Sequence, residues 1–305
     1  MDRLEAMAML LTAVEKGSLS AAAREMRVPV PTLTRKINDL EARLGTALLT
    51  RTTRKLALTD AGFAYIAAAR RILAMVDEQE REASGEFTAP RGELVITAPV
   101  LFGRLHVLPE ITDFLALFPE VNVTLMQADS NVDLVDEHVD LAVRIGNLPD
   151  SGLVATQVGT MRTVVCGSPA FLAGQGVPQT PADLARMPCV TVNGPMLSPG
   201  WRFREPQSGE AVVAMVTSRL RVTTTEAAAE AAMRDIGLTR LLHYQVAGPI
   251  EAGKLRVVLD AFEVEPVPIH LMHISRSQMP LKLRRFLDFA VPRLRQSLAR
   301  FGERT

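Results

Sequence analysis

Cysteine is almost absent from this chain of 305 residues, which contains only Cys166 and Cys189. Two cysteines cannot build a disulfide framework or a site with four thiolate ligands. We therefore expect two inert thiols in a reducing compartment, the alternative being a redox-sensing pair. Long apolar runs are missing as well. No run approaches the roughly 20 residues that a membrane helix needs, so no segment is expected in a bilayer.

Signals for export and for common enzyme chemistry are also missing. Residues 1–5 carry mixed charges and lack the cationic region and cleavage site of a signal peptide, which favours a cytoplasmic protein. There is no GxSxG turn, Walker-type loop or GxGxxG fingerprint, so we expect no catalytic residues and no cofactor. His270 and His273 are an odd number of residues apart on a predicted strand. They should point to opposite faces, which disfavours a shared metal.

Charge is balanced overall but not along the chain, which has 34 Lys and Arg and 34 Asp and Glu. Residues 16–71 hold eleven Lys or Arg against four Asp or Glu, a net charge of +7 that leaves −7 for the rest. Such segregation is typical of a nucleic-acid-binding module attached to a domain that does not bind nucleic acid. The length, with 48% hydrophobic and 22% charged residues, indicates a globular protein of two domains or more.

The first 44 residues have the pattern of three helices with a tight turn before the third. Apolar residues recur every three or four positions up to Gly17, and Ser18 can cap a second helix that ends near Met26. Pro29 then interrupts the chain, and Pro31 fits the first turn of a third helix. Hydroxyl and basic side chains follow near the start of that helix. This is the helix-turn-helix arrangement, whose recognition helix enters the major groove.

A basic turn follows Gly45, between two predicted short strands. Arg51, Arg54 and Lys55 would lie at the tip of a wing, within reach of phosphates or the minor groove.

A long helix is predicted from Asp60, capped by Thr59 and ending near Ser84, before a hinge at residues 88–92. It carries an apolar stripe formed by Phe63, Ile66, Leu73 and Val76. The stripe packs either on its own domain or against the same helix of a second chain.

From residue 92 onward, apolar strands alternate with helices, which indicates an α/β domain with a mostly parallel sheet. Strands are predicted at 93–98, 121–126 and 140–146, with a helix through His106 to Phe118 and another at 131–138. Residues 153–166 are extended and can cross to a second lobe. That lobe would hold a strand at 189–192, one ending at 222–223, and a helix at 225–234. Residues 268–274 return to the first lobe, and 280–299 form a terminal helix.

Several spaced motifs agree in order and distance with one family. They are the segments 17–24 (GSLSAAAR), 31–37 (PTLTRKI), 40–45, 48–54, 58–62, 238–246 and 285–289. Together they resemble the LysR-type transcriptional regulators, over nearly the whole chain. The resemblance implies a mixed α/β protein: an α-rich winged helix-turn-helix at 1–59, a linker helix and hinge at 60–91, and an effector domain at 92–305. That domain would resemble type 2 periplasmic binding proteins, with lobe I at about 92–165 and 267–305 and lobe II at about 166–266.

The resemblance also assigns DNA-contacting residues. The predicted surface consists of Ser20, Val30, Pro31, Thr32, Thr34, Arg35, Arg51, Arg54 and Lys55. One departure concerns the start of the recognition helix, where the family usually carries serine and glutamine and this chain has Pro29 and Val30. Loss of the glutamine removes a base contact, and Val30 can instead touch a thymine methyl. The operator sequence of relatives is therefore not transferable.

An effector site is expected between the lobes, at the carboxyl ends of strands. The predicted lining is Pro99, Val100, Leu101, Phe102, Asp129, Asn131, Arg144, Gly146, Pro199, Trp201, Thr223, Thr224 and Thr225. Backbone N–H groups at Val100 and Thr225 would suit a carboxylate, so the expected effector is a small organic acid or an aromatic molecule. Alternatives stay open: a capping role for the threonines, an acid partner (Asp129 or Asp140) for Arg144, and a core position for Trp201.

The expected function is that of a sequence-specific transcriptional regulator whose DNA binding is modulated by an effector. Expected partners are double-stranded DNA, the effector, further copies in a homodimer or homotetramer, and RNA polymerase if the protein activates transcription. The alternative is a ligand-independent DNA-binding protein whose C-terminal domain only oligomerises. An enzyme and an exported solute-binding protein are disfavoured by the features above.

Overall fold

The computed structural model describes residues 2–51, 56–83, 89–130, 134, 137–148, 152–192, 200–274 and 279–302. The chain divides into two compact units, Met1–Ala89 and Pro90–Thr305. Each unit has its own hydrophobic core. Among the described residues, no helix combines the length and the apolarity that a membrane crossing requires.

The first unit combines helices with one small sheet. Its elements are α1 (Arg3–Glu15), α2 (Leu19–Glu25), α3 (Val30–Leu44), β1 (Leu49–Arg51), β2 (Leu56–Leu58) and α4 (Asp60–Ala83). The two strands are antiparallel, with Leu49 opposite Leu58. Ala22 and Ala23 of α2 are buried in the core. Their small side chains let α1 and α3 pack closely against α2, because no bulky group separates the helices.

Local sequence determines where these helices begin. The Ser18 hydroxyl accepts a hydrogen bond from the Ala21 N–H (3.4 Å) and the Thr59 hydroxyl accepts one from the Gly62 N–H (2.9 Å), which confirms both predicted caps. Pro31 lies in the first turn of α3, as predicted. Position 62 requires glycine, because a Cβ there would lie 2.1 Å from the Leu48 carbonyl oxygen.

The predicted stripe on α4 is divided between core and surface. Ile66 is buried in the core of the unit and Leu73 packs against it, whereas Phe63 is 64% exposed. Ile72 and Met75, three residues apart on another face, are also exposed.

The second unit consists of two lobes. Its elements are β3 (Gly92–Ala98), α5 (Val100–Phe102), α6 (Leu108–Leu117), β4 (Val121–Gln127), β5 (Leu141–Ile145), β6 (Leu153–Met161), β7 (Thr163–Gly167), α7 (Pro169–Gln175), β8 (Pro188–Val192), β9 (Gly200–Arg204), β10 (Ala211–Met215), β11 (Thr217–Val222), α8 (Thr225–Met233), β12 (Leu238–Leu242), α9 (His243–Glu251), β13 (Arg256–Val258), β14 (Val267–Ile274) and α10 (Leu281–Gly302). The helix predicted through His106 thus extends from Val100 to Leu117, with a π-helical stretch at Gly103–Val107. The helix predicted at 131–138 lies mostly outside the described residues.

Each lobe is built on a five-stranded sheet, with the order β4-β3-β5-β14-β6 in lobe I and β11-β8-β12-β7-β13 in lobe II. Among the described strands, each sheet has two parallel and two antiparallel pairs. The prediction of a mostly parallel sheet was therefore wrong. The antiparallel pairs involve β6, β7 and β14, which the chain forms as it passes between the lobes, so they do not follow the strand–helix–strand rule.

The lobes are joined at Arg162 and again just before β14. Thr163 and Val165, assigned above to lobe I, lie in β7 of the lobe II sheet, so the first crossing comes earlier than predicted. Arg162 and Glu263 are buried at these two crossings, with Nε to Oε2 at 2.8 Å and Nη2 to Oε1 at 2.7 Å. This buried ion pair ties the two connections together.

Candidate nucleic-acid interface and effector site

The turn between α2 and α3 is tight because Arg27 adopts a left-handed conformation, with φ of 54°. The Val28 N–H donates to the Ala23 carbonyl at 2.9 Å, which closes the turn. Pro29 supplies no side-chain cap, so the first N–H groups of α3 are not satisfied by a side chain of the N-cap residue.

The predicted DNA-contacting residues of these helices reach the surface. Ser20, Val30, Pro31 and Arg35 are exposed, while Thr32 and Thr34 are half-buried. Val30 is 39% exposed at the first position of α3, where an apolar group is available for a thymine methyl.

Part of the basic charge in this unit is neutralised internally. Lys36 forms an ion pair with Glu5 of α1, and Lys16 pairs with Glu25 at 3.3 Å. Arg70 pairs with Glu15 at 2.9 Å. Arg35, by contrast, forms no ion pair with the described residues. The charge count over residues 16–71 could not separate paired from unpaired cations. Glu5 and Glu15, which pair with Lys36 and Arg70, lie before that stretch and were not in the count.

The base of the wing is held by a residue that the sequence analysis missed. Glu41 Oε1 accepts hydrogen bonds from the N–H groups of Leu48 and Leu49, at 2.8 and 3.0 Å. Glu41 was visible in the sequence as the acid of the Leu40-Glu41 motif. Its partners, Leu48 and Leu49, lie seven and eight residues downstream and outside α3, so the sequence did not show what it binds. Arg54, Lys55 and the side chain of Arg51 lie outside what the structure describes.

We predict that Arg35→Ala weakens DNA binding by about 1–3 kcal/mol, because a guanidinium at the start of α3 can donate to a guanine edge. The DNA for this test is a sequence that the wild-type protein selects from a random pool. Arg43→Ala, at the other end of the same helix, should have a smaller effect. Affinity is measured by titration at several salt concentrations, where each phosphate contact contributes a log–log slope of roughly −0.9. Unchanged affinity for Arg35→Ala, with Arg51→Ala equally silent, would remove the basis of this interface.

The predicted apolar wall of the effector site is largely core. Phe102 is fully buried and Leu101 is 7% exposed, both in the lobe I core. The Phe102 ring lies 4.8 Å from the His106 ring and 5.4 Å from the Tyr244 ring. The expectation that Leu101 and Phe102 line a cleft is therefore corrected, since the segment is helical and turns these side chains inward. Val100 remains at the surface, 40% exposed, next to half-buried Pro99.

The N–H group at Val100 is also not available as predicted. It donates to Asp129 Oδ1 at 3.0 Å, so a protein carboxylate already occupies the place expected for a ligand carboxylate. Asn131 lies outside the described residues. The strand-end rule placed both groups at the same edge of the sheet but could not show that Asp129 and the Val100 N–H bind each other.

Arg144 projects from β5 opposite His270 of β14. It is half-buried, and burial lowers the pKa of its guanidinium. It has interaction partners of its own. Asp140, one of the partners suggested for it, accepts a hydrogen bond from the Val95 N–H at 2.9 Å. Gly146 follows with φ of 116°, a conformation that favours glycine.

In lobe II, the Thr224 hydroxyl caps α8 by accepting from the Ala227 N–H at 3.3 Å, so the capping alternative is confirmed for this residue. Thr223 is exposed, and the Thr225 hydroxyl donates to Glu226 Oε2 at 3.1 Å. Trp201 is half-buried on β9 and packs against the lobe II core. Pro199 lies outside the described residues.

Tyr244, which the sequence analysis missed, connects the lobes. Tyr244 of α9 is buried in the lobe I core, although α9 follows directly from a strand of lobe II. The pKa of Tyr244 is raised to about 12, mainly by burial. The hydrogen bond with Gln245 opposes this rise, and the charges of Asp129 and Glu226 contribute to it. Asp129 belongs to lobe I and Glu226 to lobe II, so residues from both lobes lie within electrostatic range of one hydroxyl. No periodicity in the sequence could reveal this, because the three residues are far apart in the chain.

Other titratable groups are held neutral by burial. The pKa of His106 is lowered to about 4, chiefly by burial and further by Arg300. Burial raises the pKa of both cysteine thiols to about 12, and neither forms a disulfide, which agrees with the inert-thiol interpretation. The described residues contain no cluster of His, Cys, Asp or Glu suited to a metal ion.

Two family models match consecutive parts of the chain. Residues 4–63 match the bacterial regulatory helix-turn-helix protein of the lysR family. Residues 88–295 match the LysR substrate binding domain. The chain belongs to the LysR family of transcriptional regulators. This LysR-type regulator is thus a DNA-binding protein with an effector-binding domain, as the motifs indicated.

Relatives and solved structures agree with this assignment. The regulator PtxR of Pseudomonas aeruginosa is 33% identical over 277 residues, which cover 90% of this chain and 87% of PtxR. A transcriptional regulator of Xanthomonas campestris is 34% identical over 284 residues, which cover 92% of this chain and 82% of that regulator. The structure of CrgA from Neisseria meningitidis superposes with a TM-score of 0.60 at 29% identity, covering 95% of this chain and 98% of CrgA. The full-length structure of the Vibrio cholerae virulence activator AphB superposes with a TM-score of 0.59 at 26% identity, covering 95% of this chain and 98% of AphB.

Proposed function

We propose that this LysR-type regulator binds a small organic acid or aromatic molecule between the lobes of residues 92–305. Binding alters how a homodimer or homotetramer holds double-stranded DNA in the cytoplasm and, where the protein activates transcription, how it engages RNA polymerase. The DNA-binding domain is residues 1–59 and the linker is residues 60–91. The observation that carries the proposal is that Tyr244, which follows directly from β12 of lobe II, is buried in the core of lobe I. Asp129 of lobe I and Glu226 of lobe II both lie within electrostatic range of its hydroxyl. This arrangement supports one cleft bordered by strand ends of both lobes.

The ligand can shift the regulator only if it binds one arrangement of the lobes better than another. The cleft supplies polar groups from both lobes, so a ligand that contacts Asp129 and the start of α8 together favours the closed arrangement. The buried pair of Arg162 and Glu263 holds the two crossings together, so a change in the arrangement of the lobes is centred on these crossings. Such a change alters the geometry between neighbouring effector domains.

We predict that a thermal-shift screen of small organic acids, aromatics and amino acids finds compounds that raise the melting temperature, since a ligand of the folded state stabilises it. Asp129→Asn keeps the acceptor for the Val100 N–H and removes only the charge, so it should alter the affinity of a hit with the fold intact. Glu226→Gln should do the same, and Glu230→Gln, one turn further along α8, is the matched control. Footprinting on DNA then reports the change in geometry.

Two outcomes would contradict the proposal. If no compound stabilises the protein or changes its footprint, the ligand-independent alternative is favoured. If a hit acts equally on wild type, Asp129→Asn and Glu226→Gln, its site lies elsewhere.

Oligomerisation is proposed to use α4, whose exposed Ile72 and Met75 form an apolar face suited to a second copy. We predict that Ile72→Glu combined with Met75→Glu shifts the protein toward the 33.2 kDa monomer in sedimentation at micromolar concentration. Val213→Glu, at an exposed apolar position of the other unit, is the control. A wild-type protein that sediments only as the monomer would contradict this prediction.

A further inference from the structure

A cationic side chain that has no counter-charge among the described residues lies at the junction of the lobes. Arg240 belongs to β12, where alternate residues share one face of the sheet. On that face, Leu238 is part of the lobe II core and Leu242 packs against the lobe I core. Arg240 lies between them, so it is placed where the two cores meet.

The side chain of Arg240 forms neither an ion pair nor a hydrogen bond with the residues that the structure describes, whereas the buried Arg162 side chain has Glu263 and the exposed Arg204 side chain has Glu265. The charge that acts on Arg240 is that of another cation, Arg202 of β9. Burial and Arg202 both lower the pKa of Arg240. The segment between β8 and β9, residues 193–199, has no Asp or Glu in its sequence.

Arg240 is half-buried and lies within electrostatic range of a second cation. This destabilises the ligand-free protein, because no anion among the described residues offsets the burial or the repulsion. An anion that enters between the two cations removes both penalties. The planar fork of a guanidinium matches the two oxygens of a carboxylate and can donate to both of them.

We propose that Arg240, with Arg202 beside it, binds the carboxylate of a small organic acid at the lobe junction. The inference rests on the proposed function and deepens it, since it names the charge of the ligand and the side chains that receive it. Neither arginine was among the effector-site residues predicted from the sequence.

The test uses the full chain and three acids, acetate, succinate and benzoate, each compared with its amide as a neutral control. Trp201 is the only tryptophan and precedes Arg202, so its fluorescence reports binding at this site. We expect at least one acid to change this fluorescence and to raise the melting temperature, with no response to the matching amide. If all three acids act no differently from their amides, the proposal is overturned. Stabilisation by neutral compounds in the wider screen would then leave the proposed function standing.

Variants separate binding from a structural role. Arg240→Met should weaken binding of the responding acid roughly 10- to 100-fold, the loss expected for a charge-assisted pair. It should also raise the melting temperature of the ligand-free protein by roughly 2–4 °C, because it removes a half-buried charge that no described anion compensates. Arg202→Gln should weaken binding less, and Arg219→Gln on β11 should not affect it. Wild-type affinity in Arg240→Met, or a lower melting temperature without ligand, would overturn the assignment.

Discussion

Replacing Glu263 with glutamine is expected to destabilise the second unit by about 3–5 kcal/mol, because Arg162 would remain buried without its counter-charge. Both side chains are almost fully buried, and they share two hydrogen bonds of 2.7 and 2.8 Å. The pKa of Arg162 is raised chiefly by its hydrogen bond to Glu263, so this pairing favours the charged guanidinium. Denaturant unfolding of wild type and variant measures the loss.

Two controls show whether the loss comes from an unpaired buried charge. Glu230→Gln breaks the exposed pair with Arg234, where a cost of roughly 0–1 kcal/mol is expected. The double variant Arg162→Met with Glu263→Leu removes both charges and should lose less than Glu263→Gln alone, since no charge is stranded. If Glu263→Gln costs no more than Glu230→Gln, the pair does not hold the crossings as described.

The position of this pair gives the expected loss a functional meaning. The Arg162 carbonyl accepts from the His243 N–H at 2.9 Å, where α9 begins, and the Arg162 N–H donates to the Phe301 carbonyl at 3.2 Å, near the end of α10. One residue therefore links the first crossing to two helices and, through Glu263, to the second crossing. Weakening the Arg162–Glu263 pair should therefore loosen the packing of the lobes against each other as well as lower the stability of the fold.

Phe102→Ala is expected to cost about 3–5 kcal/mol of stability, because a fully buried aromatic ring is removed from the lobe I core and a cavity is left. The ring also packs edge-to-face on Tyr244 and at a tilt against His106, and both contacts would be lost. Loss of effector response in this variant would follow from unfolding rather than from a missing ligand contact. Circular dichroism melting without ligand measures the effect directly.

Val100→Ala is the matched control for Phe102→Ala. It lies two residues away and is 40% exposed, so its loss of stability should be small. A stability of Phe102→Ala within about 1 kcal/mol of wild type would contradict the core assignment, since buried Phe→Ala changes typically cost far more.

Local rules determined much of this regulator from the sequence alone. The caps at Ser18 and Thr59, the start of α3 and the basic module depend on residues close together in the chain, so they were predictable. The family was predictable for the same reason, because its motifs are short and lie in fixed order. Strand positions followed from runs of apolar residues.

Tertiary structure decided the features that depend on distant residues. The mixed strand directions follow from how the chain crosses between lobes, which no local pattern encodes. Phe102 became a core residue because α5 turns it inward. Arg162 found its counter-charge 101 residues away. Arg240 lies within electrostatic range of a second cation, Arg202, which is 38 residues before it in the chain. Burial and pairing of charges depend on which segments meet in space, and spacing along one chain does not specify that.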